Sequence, residues 1–361
     1  MSHSVAVIGA GAIGLSTAWQ LSQQGHHVAL FDPRLNQPIE TACHNNNGNG
    51  TSASLGVLMG HVFRRSSGRG WRLRQRSMAL WPEWIAQLQR FEPSLSLDTT
   101  LVQIAEDDAA FERMQSLASD RGHLGLRTIP PADIGTIWPT AQFGALESKN
   151  DGRINPLLLQ RALRLALAAR AVELVPEPVE VLTRKSQGWQ LNCSGGQKSF
   201  HDVVVVCAAL ASPALIEPLG HSRPISPVLG QALALQVTDG PSNWRGWPAV
   251  LVDQGFNLIP DGPNQLLLGA TVEPGDMAGH SPLELMRSLN DRAPAWLKNA
   301  EPIEQWSGLR ARPVDRPAPL LEALEPGLIL ASGLYRNGVL LAPATAEWIA
   351  NGLANGAEQP Q

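Results

Sequence analysis

The apolar and polar positions of the first 32 residues set out a strand, a turn, a helix and a second strand. Val5 to Ile8 is an apolar run of strand length, and glycines follow it at Gly9, Gly11 and Gly14. Leu15, Ala18 and Leu21 then recur at helical spacing, and Gly25 ends that helix. A second apolar run from Val28 to Phe31 closes on Asp32. This order predicts a dinucleotide-binding unit. Gly9 permits a tight turn, Gly11 lets backbone approach a pyrophosphate, and Gly14 lets helix and strand pack closely. The helix N-terminus would offer unpaired N–H groups to phosphate. Asp32, 18 positions beyond Gly14, would accept hydrogen bonds from an adenosine ribose.

Further along, a polar loop from Pro33 to Gly50 carries the low-complexity tip Asn45 to Gly50, and Thr51 to Gly56 then supplies small and hydroxyl residues. An arginine cluster follows at Arg64, Arg65, Arg69, Arg72, Arg74 and Arg76. It reads first as a solvated face, with a site for phosphates or a polyanionic partner as the sharper reading. Residues 78 to 150 mix helical patterns with Pro-marked breaks at Pro82, Pro93, Pro130, Pro131 and Pro139. Asn155-Pro156 opens a helix to about Ala169. Val179 to Leu182 and Trp189 to Leu191 read as hairpin strands around Gln187-Gly188, and Val203 to Val206 as a buried parallel strand. Ala232 to Val237 and Leu266 to Leu268 are further strands, and a helix is expected around Pro282 to Asp291. The last third returns to strand (Gly327 to Ala331), turn (Gly333 to Gly338) and helix (Val339 to Leu353).

At 361 residues, two domains are the default. A net charge of −4 suggests neither nucleic acid nor an acidic surface as partner. Cys43, Cys193 and Cys207 are scattered and odd in number, which predicts a reducing compartment rather than a disulfide framework. Glycines interrupt the first apolar stretch and no basic segment precedes it, so it reads as strand rather than signal peptide. No apolar run approaches membrane-spanning length. The expectation is a cytoplasmic enzyme, with a homo-oligomer left open. Cys43-His44 lacks partners at metal-ligand spacing, and no metal site is expected.

Three later segments narrow the choice of dinucleotide: Thr51 to Leu58; Gly152-Arg153-Ile154-Asn155-Pro156 with Pro178-Val179 and Asp202 to Val206; and Gly308-Leu309-Arg310 with Gly333 to Thr345. Together they resemble the FAD-dependent D-amino-acid oxidase superfamily, above all the glycine oxidases of thiamine biosynthesis. The resemblance spans nearly the whole chain. It implies an α/β fold with a discontinuous Rossmann-type FAD-binding domain and a second α+β substrate domain built on a mostly antiparallel sheet. Residues 1–85, 151–222 and 306–361 would form the first, and 86–150 and 223–305 the second. It further implies that Ala12 and Ile13 meet the pyrophosphate, that Asp32 and Pro33 meet the ribose, and that Val179 meets the adenine. Thr51, Ser52, Leu55, Gly56 and Val57 would line the cofactor toward the flavin. The turn Leu334, Tyr335, Arg336, Asn337, Gly338, Val339 and Leu340 would present backbone N–H groups to the isoalloxazine ring. Arg310 and Arg336 match the two arginines the family directs at a substrate carboxylate, a role that suits a planar guanidinium. Arg312 shares a strand face with Arg310 but matches no family ligand.

The expected reaction is oxidation of the C–N bond of a small amino acid or N-substituted glycine, with hydride passing to flavin N5 and the imine hydrolysing in water. Oxygen or another acceptor would then take the electrons. No acid–base side chain is assigned. No cysteine sits beside Gly308-Leu309-Arg310, so the FAD is expected to be non-covalent. Departures fall in the substrate pocket, where Asn257 stands in place of a tyrosine and Val272 in place of a methionine. Cys207-Ala208-Ala209 replaces an Ala-Thr-Gly-like turn. His61 is a candidate to approach the ring or substrate. Rival readings are an FAD oxidase acting on a glycine-like substituent of tRNA, a flavoprotein without amine chemistry, and an NAD-dependent dehydrogenase.

Overall fold

The apolar runs Ser4–Ile8, His27–Phe31 and Val203–Val206 become central strands of a six-stranded sheet in the computed structural model, which describes residues 2–39 and 50–354. Ser4–Ile8 lies between the other two and pairs parallel with both, Val5 opposite Val28 and Val203. Glu173–Val175 extends the sheet beside His27–Phe31, and Leu328–Ser332 extends it beside Val203–Val206. Leu320–Glu325 closes that edge antiparallel. Side chains of these central strands are buried on both faces, which is why their sequence reads as continuous Val, Ile and Leu rather than alternation.

Helices Ala12–Gln23, Pro156–Ala169 and Ala342–Ala354 cover one face. Asn155 caps the second, its side-chain oxygen accepting from the N–H groups of Leu157 and Leu158. The helix Arg69–Leu88 packs on them through a stripe of Trp71, Met78, Trp81, Trp84, Ile85 and Leu88. Pro82, expected as a break, lies inside it. The stripe continues on both sides of the proline, and its packing outweighs one missing backbone bond.

The second sheet is mostly antiparallel. Its spatial order is Glu273–Pro274, Ile225–Gln236, Gln265–Gly269, Phe256–Pro260, Val250–Asp253, Asp98–Ile104, Ala145–Arg153 and Val57–Leu58. Glu301–Pro313 also pairs with Ile225–Gln236, and Leu126–Ile129 with Ala145–Arg153. One pair, Val250–Asp253 with Asp98–Ile104, is parallel. The domain boundaries expected at 85/86, 150/151 and 305/306 fall inside continuous elements, the helix Arg69–Leu88 and the strands Ala145–Arg153 and Glu301–Pro313. A separate three-stranded sheet, Val179–Arg184, Trp189–Cys193 and Lys198–His201, holds the expected hairpin. The expected tip Asn45 to Gly50 and Cys43-His44 lie outside the described residues except for Gly50. Among the described residues no helix is long and apolar enough to cross a membrane.

Candidate functional site

A cavity of about 1090 Å³ runs from the glycine turn after the first strand to the facing edge of the antiparallel sheet. Its first end is built by sterics. Gly9 adopts φ +105, and a Cβ there would meet the Cys207 carbonyl oxygen at 2.6 Å. A Cβ at Gly14 would lie 1.7 Å from the Gly9 oxygen, so the helix Ala12–Gln23 seats against the turn only because residue 14 is glycine. The Ala12 N–H donates to Thr51 Oγ1 at 2.9 Å, and the remaining N–H groups of this first turn have no intrahelical acceptor. Asp32 accepts from the N–H of Ala10 and of Arg34, both at 2.8 Å, which fixes its carboxylate at the rim with acceptor capacity to spare. Gly9, Gly11, Ala12, Ile13, Asp32, Pro33 and Val179 all lie on the wall.

The far end is bounded by the turn Leu334 to Leu340. Every residue of that turn is on the wall, and Tyr335 bends it with φ +54. Among the described residues the N–H groups of Gly338, Val339 and Leu340 find no protein acceptor. Three consecutive free donors ahead of a helix form a patch of positive potential. Trp81 Nε1 donates to the Leu340 oxygen at 3.1 Å and ties this turn to the long helix.

These features fit FAD. The glycine turn leaves backbone exposed for a pyrophosphate, Asp32 offers acceptors to a ribose, and the Gly338–Leu340 donors suit an electron-rich ring edge. Leu55, Gly56 and Val57 also lie on the wall. Thr51 is at the helix N-terminus rather than toward the flavin end. Ser52 is off the wall: it is 3% exposed and bonds Gln160. Gly14 is also off the wall, serving helix–strand packing. Cys207, Ala208 and Ala209 line the cavity, and Ala209 takes φ +49, so the turn keeps a glycine-like conformation without glycine. Burial pushes the Cys207 thiol up to about 12, which keeps it neutral and unreactive.

Arg310 lies on the wall with its guanidinium against Gly230, where a Cβ would fall 2.2 Å from Nη2. Its Nη1 donates to the Leu229 oxygen at 3.0 Å. Burial, and then the neighbouring Arg336, bring Arg310 down to about 10. Arg336 is exposed at the rim of the same end. Arg312 instead stacks on the Tyr335 ring, 5.6 Å from its centroid. Asn257 is also on the wall. Its Nδ2 donates to the Gly269 oxygen at 2.9 Å, and its buried Oδ1 has no partner. Val272 lies off the wall and 47% exposed, with Ala270 on the wall instead. Thr271 turns inward to accept the Gln231 N–H, and the alternation of side chains sends residue 272 outward.

Arg74 was not singled out among the cluster arginines, yet it is buried on the cavity wall. It donates to the Met59 oxygen and to Asn337 Oδ1, and lies 4.1 Å over the Phe63 ring. A signal was available: Arg74 shares the helical stripe of Trp71, Met78 and Trp81, where a charged residue is out of place. Arg69 and Arg76 are engaged elsewhere, Arg69 with the Leu321 oxygen and Arg76 with Glu347.

Asp151 is fully buried, and no local sequence pattern marks it. It accepts from the N–H groups of Gly60, His61 and Val62, and contacts His61 Nδ1 at 3.0 Å. His61, held by this contact, is not part of the cavity wall. Asp151→Ala would leave three backbone donors unpaired, two of them buried, at an expected cost on the order of 3 kcal/mol. A lower urea midpoint and faster proteolysis within Met59–Arg65 are the readouts, and a wild-type midpoint would contradict this account. Among the described residues no cluster of His, Cys, Asp or Glu could hold a metal ion.

Residues 4–351 match the family described as FAD dependent oxidoreductase, DAO. The chain is similar to a glycine oxidase of Bacillus licheniformis, 27% identical over 97% of this chain and 92% of the relative. Its fold is similar to the crystal structure of glycine oxidase from Geobacillus kaustophilus, with a TM-score of 0.83 and 24% identity over 98% of this chain and 95% of the other. It is also similar to iminodiacetate oxidase from Chelativorans sp. BNC1, with a TM-score of 0.81 and 22% identity over 99% and 97% of the two chains.

Proposed function

Because the chain belongs to the DAO family of FAD-dependent oxidoreductases, we propose that it oxidises the C–N bond of a small amino acid or N-substituted glycine. In this reaction the amine gives up two electrons and two protons to become an imine, which water splits into an oxo acid and the released amine. Bound FAD supplies the two-electron acceptor, and dioxygen or another oxidant takes the electrons on. The observation that carries the reading is the pairing of Arg310 and Arg336 with the free Asn257 Oδ1 at one end of the cavity.

Arg310 holds the substrate carboxylate, with its fork oriented by the Leu229 oxygen and its plane resting on Gly230. Arg336 closes over the same group from the rim. Asn257 is oriented by its bond to Gly269, so Oδ1 accepts an N–H of the neutral amine. A carboxylate and an amine held on separate anchors fix the α-carbon between them, and this positioning is the protein's main contribution. Non-covalent FAD is part of the proposal. So is the division into a cofactor unit and a substrate unit that meet at this cavity.

The relatives named as glycine oxidases and as iminodiacetate oxidase support amine chemistry and leave the substrate open. The test is an absorption spectrum of the purified protein, then anaerobic titration with glycine, sarcosine and D-amino acids. Bleaching of the flavin band by one of them is the expected result. A flavin that none of them reduces would remove the amine reaction and leave a flavoprotein of other purpose.

A further inference from the structure

The proposed carboxylate anchor accounts for only part of the positive charge on the cavity wall. Arg64, Arg65 and Arg74 stand on that wall together with Arg310 and Arg336. Among the described residues its carboxylates are Asp32 and Glu180, beside the glycine turn and the Val179 hairpin at the opposite end. Arg64 and Arg65 are exposed and make no side-chain hydrogen bond or ion pair among the described residues. Arg74 feels the charge of Asp151, but that carboxylate is already engaged by three backbone N–H groups and His61. Burial, and Arg336 more weakly, bring Arg74 down to about 10. Arg336 acts on Arg310 in the same direction, so Arg74, Arg310 and Arg336 share one electrostatic field.

The segment presenting these arginines is held from two sides. Asp151 takes the N–H groups of Gly60, His61 and Val62, while Arg121 donates to the carbonyls of His61, Phe63 and Arg65. Arg121 is itself stacked on Trp71, 4.0 Å from the ring centroid. A fixed backbone with unneutralised guanidinium groups at a cavity mouth is preorganised for an anion, because the desolvation of Arg74 and the ordering of the segment are already accomplished in the folded protein. A monocarboxylate needs no more than Arg310 and Arg336.

We propose that Arg64, Arg65 and Arg74 form a second anion subsite, and that the preferred substrate is an amine carrying two anionic groups, one for each arginine set. This rests on the amine oxidation proposed above for the same cavity. The shared chemistry is a second carboxylate or phosphonate-like group on the far side of the amine.

The experiment uses the FAD-loaded full chain and unreactive anions, read by perturbation of the flavin spectrum at constant ionic strength. Acetate probes the first anchor, malonate and succinate probe both, and phosphonoacetate distinguishes a phosphonate from a carboxylate as the second group. The expected result is a Kd for malonate or succinate at least about tenfold below that of acetate. In Arg64→Gln/Arg65→Gln the ratio of the two constants should fall towards one. Arg64→Lys/Arg65→Lys, which keeps both charges, should restore part of it. Anaerobic reduction by iminodiacetate should then outpace reduction by sarcosine at low concentration. Equal affinity for acetate and the dicarboxylates, or a preference that survives the double Gln variant, overturns the subsite. Sarcosine bleaching without any dicarboxylate preference overturns the subsite while leaving amine oxidation standing. A dicarboxylate preference with no amine able to bleach the flavin keeps the subsite and removes amine oxidation.

Discussion

Gly14→Ala is expected to yield a destabilised protein that retains little FAD. The added methyl would lie 1.7 Å from the Gly9 oxygen and 2.9 Å from the Gly9 carbon, so it meets backbone rather than a movable side chain. Gly9 cannot give way, because the Cys207 backbone closes on it from the other side. Relief therefore requires the helix Ala12–Gln23 to lift from the first strand, which also moves its N-terminal N–H groups off the cavity wall. The cost is expected to reach about 3 kcal/mol, the upper range for overpacking. Flavin absorbance relative to protein should fall by roughly tenfold after gel filtration, following the displaced phosphate donors. Gly70→Ala is the control: the site lies in the helix Arg69–Leu88 with nothing within 4 Å of a new Cβ. It should be neutral or gain up to about 1 kcal/mol. Wild-type flavin content and stability in Gly14→Ala would refute the role given to this turn.

Arg310→Ala is expected to weaken binding of acetate and of any amino-acid substrate by on the order of a hundredfold, with the flavin band retained. The magnitude follows from losing two charge-assisted hydrogen bonds worth about 1.5–3 kcal/mol each, partly offset by Arg336. Arg310→Lys should recover little, since a point charge on a flexible stem cannot hold both carboxylate oxygens in a plane. Anion affinity should also fall as pH rises through about 10, where the desolvated guanidinium loses its proton. A bound carboxylate favours the charged form and moves that loss to higher pH. Loss of FAD in Arg310→Ala would mean that the residue serves the cofactor. An unchanged acetate Kd would mean that it serves neither.

The comparison between sequence and structure divides along the range of the forces involved. Gly14 and Asp32 were readable because their contacts, with the Gly9 oxygen and the Ala10 N–H, lie within one strand–turn–helix unit, and Gly9 was readable from its place in that turn although the backbone it meets is that of Cys207. Asn155-Pro156 and the run Val203 to Val206 were readable because a helix cap and an unbroken apolar run are each written within a few residues. Local patterning was less reliable where long-range packing competes with it. Pro82 signals a break, yet the apolar stripe on either side carries the helix Arg69–Leu88 through it. Arg74 sits in a run of arginines that reads as a solvated face, although its helical spacing places it among Trp71, Met78 and Trp81.

By itself, the sequence determined a dinucleotide-binding start and an α/β chain returning to that unit at its end. Through motif resemblance it also indicated FAD as the cofactor. The tertiary structure decided which side chains share the cavity. Register puts Val228 opposite Arg310 and Asn257 opposite Gly269, while inward Thr271 sends Val272 out to solvent. Buried Asp151 reaches 89 to 91 positions back along the chain to fix the segment that carries Arg64 and Arg65. Glycine turns and helix caps are settled by the sterics of adjacent residues, and so they are written locally. Convergence of charges from residues 64 to 336 depends on strand pairing and buried hydrogen bonds across the whole fold, which no local pattern encodes.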